Sequence, residues 1–402
     1  MIDFTFNSVI FGFDLFENGV MENIYLDNAA TTQIREEVIK RMQDALSGYY
    51  GNPSSTHAFG RTAKTAVESA RKTIANRINA HPSEIIFTSG GTEADNMILR
   101  SAVRDLGVKT IITSKIEHHA VLHTSEDLVN ECGIVLKFVD LDAHGNPNLL
   151  HLEQLLQKDD TKKLVTLMHV NNEIGNLLPI DEVAKICKEN GALFHSDTVQ
   201  SIGHFEWDVQ KTAIDFMVAS AHKFHGPKGV GFAFIRKNSG LKPLISGGSQ
   251  ERGYRAGTES VHNIVGLEEA FTLAYKNLKD EKEHIVGLKK YFIDNITKNI
   301  PGVTFNGLSG DLNKSTYTLV NLCLPISQER ALILLFHLDI KGIACSKGSA
   351  CQSGSDAGSH VLNEVLSEED LKKPSLRFSF SQYNTTTELD YVIGVLKEFV
   401  ES

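Results

Sequence analysis

The sequence predicts an α/β protein in two unequal parts: a large part built on a mostly parallel sheet with helices on both faces, and a smaller C-terminal α/β domain. Three observations carry this. The chain has 402 residues, roughly twice the size of a usual single domain. Short, almost wholly apolar strands alternate with helical stretches through the first two-thirds. After about Ser260 the pattern changes to a long helical run rich in Lys and Glu, followed by shorter alternating elements.

Taken in order, Glu84–Thr88 reads as a strand and Thr92–Arg104 as a helix. Thr110–Thr113 is a strand, and a helix follows from about His119 to Glu131. Ile134–Val139, Leu164–His169, Leu193–His195, Phe216–Ala219 and Gly231–Ile235 are further strands, with Asp181–Glu189 a helix between two of them. Beyond Ser260 the helical run reaches roughly Asn299. Ser315–Cys323, Lys341–Ala344 and Leu376–Ser379 then read as strands, and Glu329–His337 and Glu388–Phe399 as helices. Cys345–Gly358 is rich in Gly and Ser and is expected to be a mobile loop.

The formal net charge of -10 argues against a nucleic-acid partner, which needs a basic face, and is read as ordinary solubility. The five cysteines (Cys132, Cys187, Cys323, Cys345 and Cys351) are odd in number and include no Cys-x-x-Cys pair, which suits reduced thiols in a cytoplasm. Cys132, Cys187 and Cys323 fall on helical or strand patterns and are expected in the core. No apolar run approaches the length of a membrane span. Residues 1–20 carry five Phe with acidic residues between them and no Lys or Arg, unlike a secretory signal. They are expected to be a start-site artefact ahead of Met21 or a poorly ordered extension.

In a parallel sheet covered on both faces, ligands sit beyond the carboxyl ends of the strands. The residues that follow these strands are Ser89-Gly90-Gly91-Thr92, Glu117-His118, Asn171-Asn172-Glu173, Asp197-Thr198-Val199-Gln200 and Ser220-Ala221-His222-Lys223. Chemically useful groups therefore gather at one edge. A lone Lys is most often solvated, but Lys223 at a strand end beside Ser220 and His222 is placed to form a Schiff base, with Ser220 and His222 available to a phosphate. Asp197 reads either as the cap of a following helix or as the partner of a pyridinium nitrogen, which keeps such a ring an electron sink. Gln200, three residues on, could share a helical face with it and donate to the ring's phenolic oxygen. Gly91 and Thr92 open a helix whose free N–H groups suit a phosphate, although many helices begin this way.

His118 is either structural or a ring-stacking acid and base whose pKa lies near neutrality. His222 and His225 have a metal-like spacing, but no carboxylate or thiol stands close in sequence, so no metal site is expected. Cys351 sits in a polar, Gly-rich stretch and reads as an accessible nucleophilic thiol, whereas Cys345 lies nearer the apolar strand and reads as packed. Arg377 lies on an alternating strand and is either a surface ion pair or a bidentate clamp on a carboxylate.

Together these residues resemble the cysteine desulfurases of the NifS/IscS type, within the class V aminotransferase-like, fold-type I pyridoxal-phosphate enzymes. The likeness runs from about Ile24 to the C-terminus. It rests on Leu26-Asp-Asn-Ala-Ala-Thr-Thr32, Gly51-Asn-Pro-Ser-Ser55, Thr88-Ser-Gly-Gly-Thr-Glu93, Glu117-His118, Met168-His-Val-Asn-Asn-Glu-Ile-Gly175, His195-Ser-Asp-Thr-Val-Gln200, Ser220-Ala-His-Lys223, Arg255-Ala-Gly-Thr258 and Gly348-Ser-Ala-Cys351. Several distinct motifs in order are specific where any one alone is not.

The resemblance implies a pyridoxal 5'-phosphate enzyme of the type I transferase fold. It implies a large cofactor-binding domain over 33–275, a small domain from 22–32 with 276–402 that carries the cysteine loop 345–358, and an N-terminal extension over 1–21. Lys223 is then the Schiff-base lysine, and His118 the ring-stacking acid/base. Gly91, Thr92, Ser220 and His222 lie at the phosphate, and Asp197 and Gln200 at the ring. Thr258 reaches the phosphate of a neighbouring subunit, which implies a homodimer. Asn52, Asn172 and Arg377 contact the substrate. Sulfur passes from L-cysteine to Cys351 as a persulfide, alanine leaves, and an acceptor such as an iron–sulfur scaffold takes the sulfur. The rival readings are selenocysteine lysis, transamination with Cys351 a bystander, and a non-catalytic partner-binding homologue.

Two stretches depart from the family pattern. The loop reads Asp356-Ala-Gly-Ser-His360 where a Glu-Pro-Ser-His type sequence is usual, which is expected to loosen that hinge. After Arg377 the chain reads Phe-Ser-Phe-Ser-Gln-Tyr-Asn in place of a Leu-Gly-Arg type stretch.

Overall fold

Strands with long, uninterrupted apolar runs must be buried on both faces, and here they are. The structure, a computed structural model, describes residues 23–347 and 358–402. The readings placed on residues 1–22 and on the stretch 348–357, Cys351 among them, lie outside the described residues.

The first half of the chain runs β1 (Ile24–Tyr25), α1 (Glu36–Gly48), α2 (Ala58–Arg77), β2 (Ile85–Thr88), α3 (Gly91–Leu106), β3 (Thr110–Thr113), α4 (His119–Cys132), β4 (Val135–Phe138), α5 (Leu149–Gln157) and β5 (Lys163–Thr166). It continues through α6 (Ile180–Glu189), β6 (Leu193–Asp197), β7 (Phe216–Ser220) and β8 (Gly231–Ile235). Then come α7 (Val261–Lys276), α8 (Leu278–Asn299), β9 (Thr304–Phe305), β10 (Leu319–Cys323), α9 (Gln328–Ile340), β11 (Ile343–Ala344), α10 (His360–Val365), β12 (Ser375–Ser379) and α11 (Thr386–Glu401).

Seven strands form the main sheet in the order β2-β8-β7-β6-β5-β3-β4. All neighbouring pairs are parallel except those of β8, which runs against both β2 and β7. One apolar core lies on each face of this sheet. Val165, Phe194, Met217 and Phe232 belong to one, and Ile111, Leu164, Phe216 and Val218 to the other. The alternation of neighbouring residues between two cores is the physical reason these strands show no polar face.

A third core gathers around the antiparallel sheet β12-β10-β9 and helices α8 and α11, with Phe292, Val320, Phe378 and Leu396 fully buried. The chain's beginning joins this body. β1 pairs in parallel with β11, Asp27 bridges Ser379, and Ile24 and Leu26 enter the same core.

Three expectations are corrected. The segment after Asp197 forms turns, not a helix, so Asp197 caps nothing and Gln200 does not share a helical face with it. Thr198 to Phe205 closes in successive turns through short-range bonds such as Ser201 N to Thr198 O (2.9 Å). Cys132 is exposed at the end of α4, because Gly133 in the left-handed region (φ 65°) terminates the helix there. Arg377 is no surface residue; it is buried in the centre of the molecule.

A buried ion pair ties the loop that carries Thr258 to the main body. Arg71 on α2 forms a two-pronged pair with Glu251 at 2.8 Å, and both side chains are only 2% exposed. Glu251 also accepts from Phe87 N on β2 (2.8 Å). Removing one partner of such a pair strands the other charge in the core. Glu251→Ala is expected to lower the unfolding free energy by about 3 kcal/mol, read as a shift of the urea midpoint at unchanged slope. Among the described residues, no helix is long and apolar enough to cross a membrane.

Candidate active site

The strand-end rule places the site, and the structure fills it in. A cavity of about 480 Å³ opens at the carboxyl ends of β2, β3, β5, β6 and β7, and the stretch Ala29–Thr31 closes it from the side of the small sheets. Its lining includes Gly91, Thr92, His118, Asn172, Asp197, Gln200, Ser220, His222, Lys223 and Arg377. These ten candidates come from widely separated points of the chain.

Lys223 follows β7 in a single helical turn. Its Nζ donates to the carbonyl oxygens of Ala29 (2.6 Å) and Ala30 (2.8 Å). Gln200 Nε2 donates to the same Ala29 oxygen (2.9 Å). Thr32 N donates to His222 O (2.9 Å), so the N-terminal stretch and the lysine turn hold each other.

One end of the cavity is a cradle for an anion. α3 begins at Gly91, and Ala94 N makes the helix's first bond to Gly90 O. The N–H groups ahead of it lie at the positive end of the helix dipole. A Cβ on Gly91 would fall 2.6 Å from Val199 Cγ2, so only glycine lets the helix start this close to the site floor. Ser220 Oγ stands 3.4 Å from the position a Cβ on Gly90 would occupy. His222 completes this end, bonded through Nδ1 to Thr31 Oγ1 (3.2 Å). Burial, with Lys223 and Lys228 nearby, pushes His222 down to about 4, so the ring is neutral at pH 7.

The floor is acidic. Asp197 ends β6, and its Oδ1 accepts from Val199 N (2.9 Å). Asp95 on α3, His118 and Asp197 each bring one donor atom within 4.8 Å of the others. Burial raises the Asp197 carboxyl above its ordinary range, opposed by His118, the Val199 amide and Lys223. Burial raises Asp95 further, with Asp197 and Glu117 adding to it. His118 caps α4, with Nδ1 accepting from Ala120 N (3.1 Å), so the neutral ring carries its proton on Nε2. Burial lowers its pKa, and Asp197 pulls the other way.

Arg377 sits on β12 and reaches across from the small sheet. Its Nη1 donates to Asn172 O (2.8 Å) and its Nη2 pairs with Asp27 Oδ1 (2.9 Å). Its Nε is buried, with no hydrogen-bond partner among the described residues. A guanidinium that lines a cavity could bind an anion there.

The structure does not bring every candidate here. Asn52 and Thr258 are both exposed and neither lines the cavity. Other groups are present that the sequence reading gave no role. Asp95, Glu117 and Glu173 are buried carboxyls, and Asp27 partners Arg377. Glu117, Glu173 and Asp27 stand inside the quoted motifs; the signal that could have marked them is a carboxylate within an apolar run, which is retained only when paired or protonated.

Glu117 carries a pH prediction. Its carboxyl accepts from Met168 N (2.9 Å to Oε2) and from Ser114 Oγ (2.9 Å), yet burial raises it to about 8 from an ordinary 4.5. The folded protein therefore holds a proton that the unfolded chain has shed between pH 4.5 and 8. The stability owed to this group is complete below 4.5 and is lost as pH rises through 8. Glu117→Gln removes that slope, so urea unfolding should show the variant gaining on wild type across this window.

The chain belongs to the aminotransferase class-V family, whose model matches residues 24–392. Among curated relatives it is similar to the cysteine desulfurase IscS of Dictyoglomus turgidum, 42% identical over 380 residues and 94% of each chain. It is 44% identical over 373 residues to the putative cysteine desulfurase IscS 1 of Bacillus subtilis, covering 92% of this chain and 96% of that one. Among solved structures, a NifS-like protein superposes with a TM-score of 0.85 at 34% identity, covering 94% of this chain and 99% of that one. The fold is thus that of the NifS-like proteins, as the sequence motifs implied.

Proposed function

We propose that this protein is a pyridoxal-phosphate-dependent cysteine desulfurase that moves sulfur from L-cysteine to its own Cys351. The observation that carries the reading is the convergence of Lys223, Asp197, Arg377 and the Gly90–Gly91 cradle on one cavity. The donor set fits the cofactor: a primary amine for its aldehyde, a buried carboxyl for its ring nitrogen, and a helix start with Ser220, His222 and Thr92 for its phosphate. When bound, pyridoxal phosphate supplies a sink for the electron pair left at the substrate's α carbon.

This chain's residues supply the rest. The Arg377 guanidinium and Asn172 hold the carboxylate of cysteine and aim its α hydrogen at Lys223. Lys223 Nζ takes that proton and returns it, a primary amine at the end of β7 that lines the cavity being placed to serve first as base and then as acid. Asp197 would supply a carboxylate to the ring nitrogen, and neutral His118 would contact the ring and pass protons through Nε2. Gln200 addresses the ring oxygen. The Cys351 thiolate takes the substrate sulfur, forming an S–S bond as the carbon–sulfur bond breaks. One thiol and one cysteine become one persulfide and one alanine, so atoms and electrons balance without an outside oxidant.

Asn52 and Thr258 are assigned to the partner's site in a homodimer. Support comes from their exposure and from the exposed apolar surface beside Asn52, where Leu46, Tyr50 and Phe59 are 57%, 70% and 56% exposed. Arg255 carries the Thr258 loop and pairs with Glu93, a cavity residue, at 2.9 Å. The small-domain boundaries 22–32 with 276–402 are supported by the shared core of β1 with the C-terminal elements. The reading carries with it a sulfur acceptor, an iron–sulfur scaffold being the expected one, and a reducing cytoplasm. The test is to supply L-cysteine with a thiol reductant. Equal yields of alanine and sulfide support the reading, and pyruvate from the cysteine skeleton contradicts it.

A further inference from the structure

Glu173 lines the cavity beside Asn172, yet its side chain is fully buried. Its Oε2 accepts from the hydroxyl of Ser359. Its Oε1 is buried with no hydrogen-bond partner among the described residues. Burying a carboxyl with one oxygen unsatisfied is costly, so the bonded oxygen must have a use that outweighs it.

The backbone under Glu173 is held rigidly. Glu173 N and Ile174 N both donate to Asn171 Oδ1 (2.9 and 3.0 Å), and Asn171 Nδ2 donates to Ile116 O (2.9 Å). Asn321 Nδ2 reaches from β10 to Glu173 O (2.9 Å), and Gly175 closes the turn at φ +71°. Such a turn is a fixed post, not an adaptable loop.

Ser359 is the second described residue after the stretch 348–357. It caps α10, its Oγ accepting from Leu362 N (3.0 Å). Val361 and Leu362 pack against Ile116 and Ile174, next to that post. His360 Nε2 meets Glu117 O at 2.9 Å, and its ring lies 4.3 Å from that of His119. At the other end, Ser346 exchanges two backbone bonds with Arg377 (3.2 and 2.7 Å). Cys351 is five residues from Ser346 and eight from Ser359. The covalent chain therefore allows it at most about 18 Å from the first and about 29 Å from the second. Both ends of the stretch are thus fastened to cavity-wall residues.

We propose that Glu173 is a positioning residue for sulfur transfer: through Ser359 it sets where the Cys351-bearing stretch rejoins the cavity wall, and so whether the thiolate meets the sulfur of bound cysteine. Glu173 does not hold the substrate itself. The proposal rests on the desulfurase reading above.

The test separates the two halves of the reaction. Exchange of the cysteine α hydrogen with deuterium oxide reports binding and proton removal, whereas alanine formation also requires sulfur transfer. Ser359→Ala is expected to lower kcat for alanine about tenfold, the worth of one charge-assisted hydrogen bond, with KM and the exchange rate unchanged. Ser359→Thr keeps a hydroxyl and should restore kcat. Glu173→Leu should match Ser359→Ala, and the double variant should be no slower than either alone. If Glu173→Leu does not fold, the Ser359 pair decides alone. An unchanged kcat in Ser359→Ala overturns the proposal, as does a parallel fall of exchange and alanine formation. A wild-type enzyme that exchanges the hydrogen yet makes no alanine would overturn the desulfurase reading beneath it.

Discussion

Lys223→Ala is expected to lower alanine formation from L-cysteine by at least about three orders of magnitude. The size follows from what else the cavity offers as a base. His118 is buried with its Nδ1 already engaged by Ala120 N. Lys228 lines the cavity but is exposed to solvent. Asp197 is committed to the floor and Arg377 to Asp27 and Asn172. Lys223 is the lining amine that the proposed reading assigns to take the proton from the α carbon and give it back. Lys223→Arg should be equally inactive, because a guanidinium keeps the positive charge but does not shed its proton. Both variants should unfold near the wild-type urea midpoint, since Lys223 is only partly buried and its Nζ bonds to the carbonyl oxygens of Ala29 and Ala30. The readouts are alanine yield and α-hydrogen exchange, both lost. Exchange that survives in Lys223→Ala would move the base elsewhere.

Cys351→Ser is expected to cut alanine and sulfide by at least about two orders of magnitude while α-hydrogen exchange persists. The other cysteines lack the means to substitute. Cys187 is buried in an apolar core, and Cys323 is buried on β10. Burial, with Asp27 close by, pushes the Cys345 thiol up to about 12, far from a thiolate at neutral pH. Cys132 is exposed, but it stands at the far end of α4 from His118, about 20 Å along a helix of this length. Cys351 is the cysteine whose flanks, Ser346 and Ser359, attach to residues of the cavity wall. Alanine formation that persists in Cys351→Ser would return the protein to the lyase or transaminase readings.

Much of the site was legible because one rule of parallel sheets converts sequence order into place. Residues just after apolar strands meet at one edge, so Asp197, Lys223, His118 and Asn172 could be gathered without knowing the strand order. Gly91 and Thr92 were legible for the same reason, as the start of a helix that follows a strand. What stayed hidden depends on pairing across long separations. Arg377 read equally well as a surface residue; only the approach of Asp27 and the Asn172 carbonyl, some two hundred and more residues away, buries it. Gln200 was misplaced on a helix because Thr198–Gln200 has no local signal against one, and its partner, Ala29 O, is equally remote. Cys132 follows a regular helical pattern into a Gly stop, and periodicity does not reveal which end of a helix is covered. The burial of Glu117 and Glu173 is tertiary: each stands beside a residue singled out from sequence, but only packing shows that its carboxyl is shut away from water.

The most direct test of the central claim is the mass of the peptide containing Cys351 after one turnover with L-cysteine, measured without reductant and after free cysteine has been removed. The account predicts one added sulfur on that peptide, one alanine released per active site, and loss of the added sulfur on treatment with a thiol. Alanine released with the Cys351 peptide unmodified, or the sulfur found on another cysteine, would contradict it.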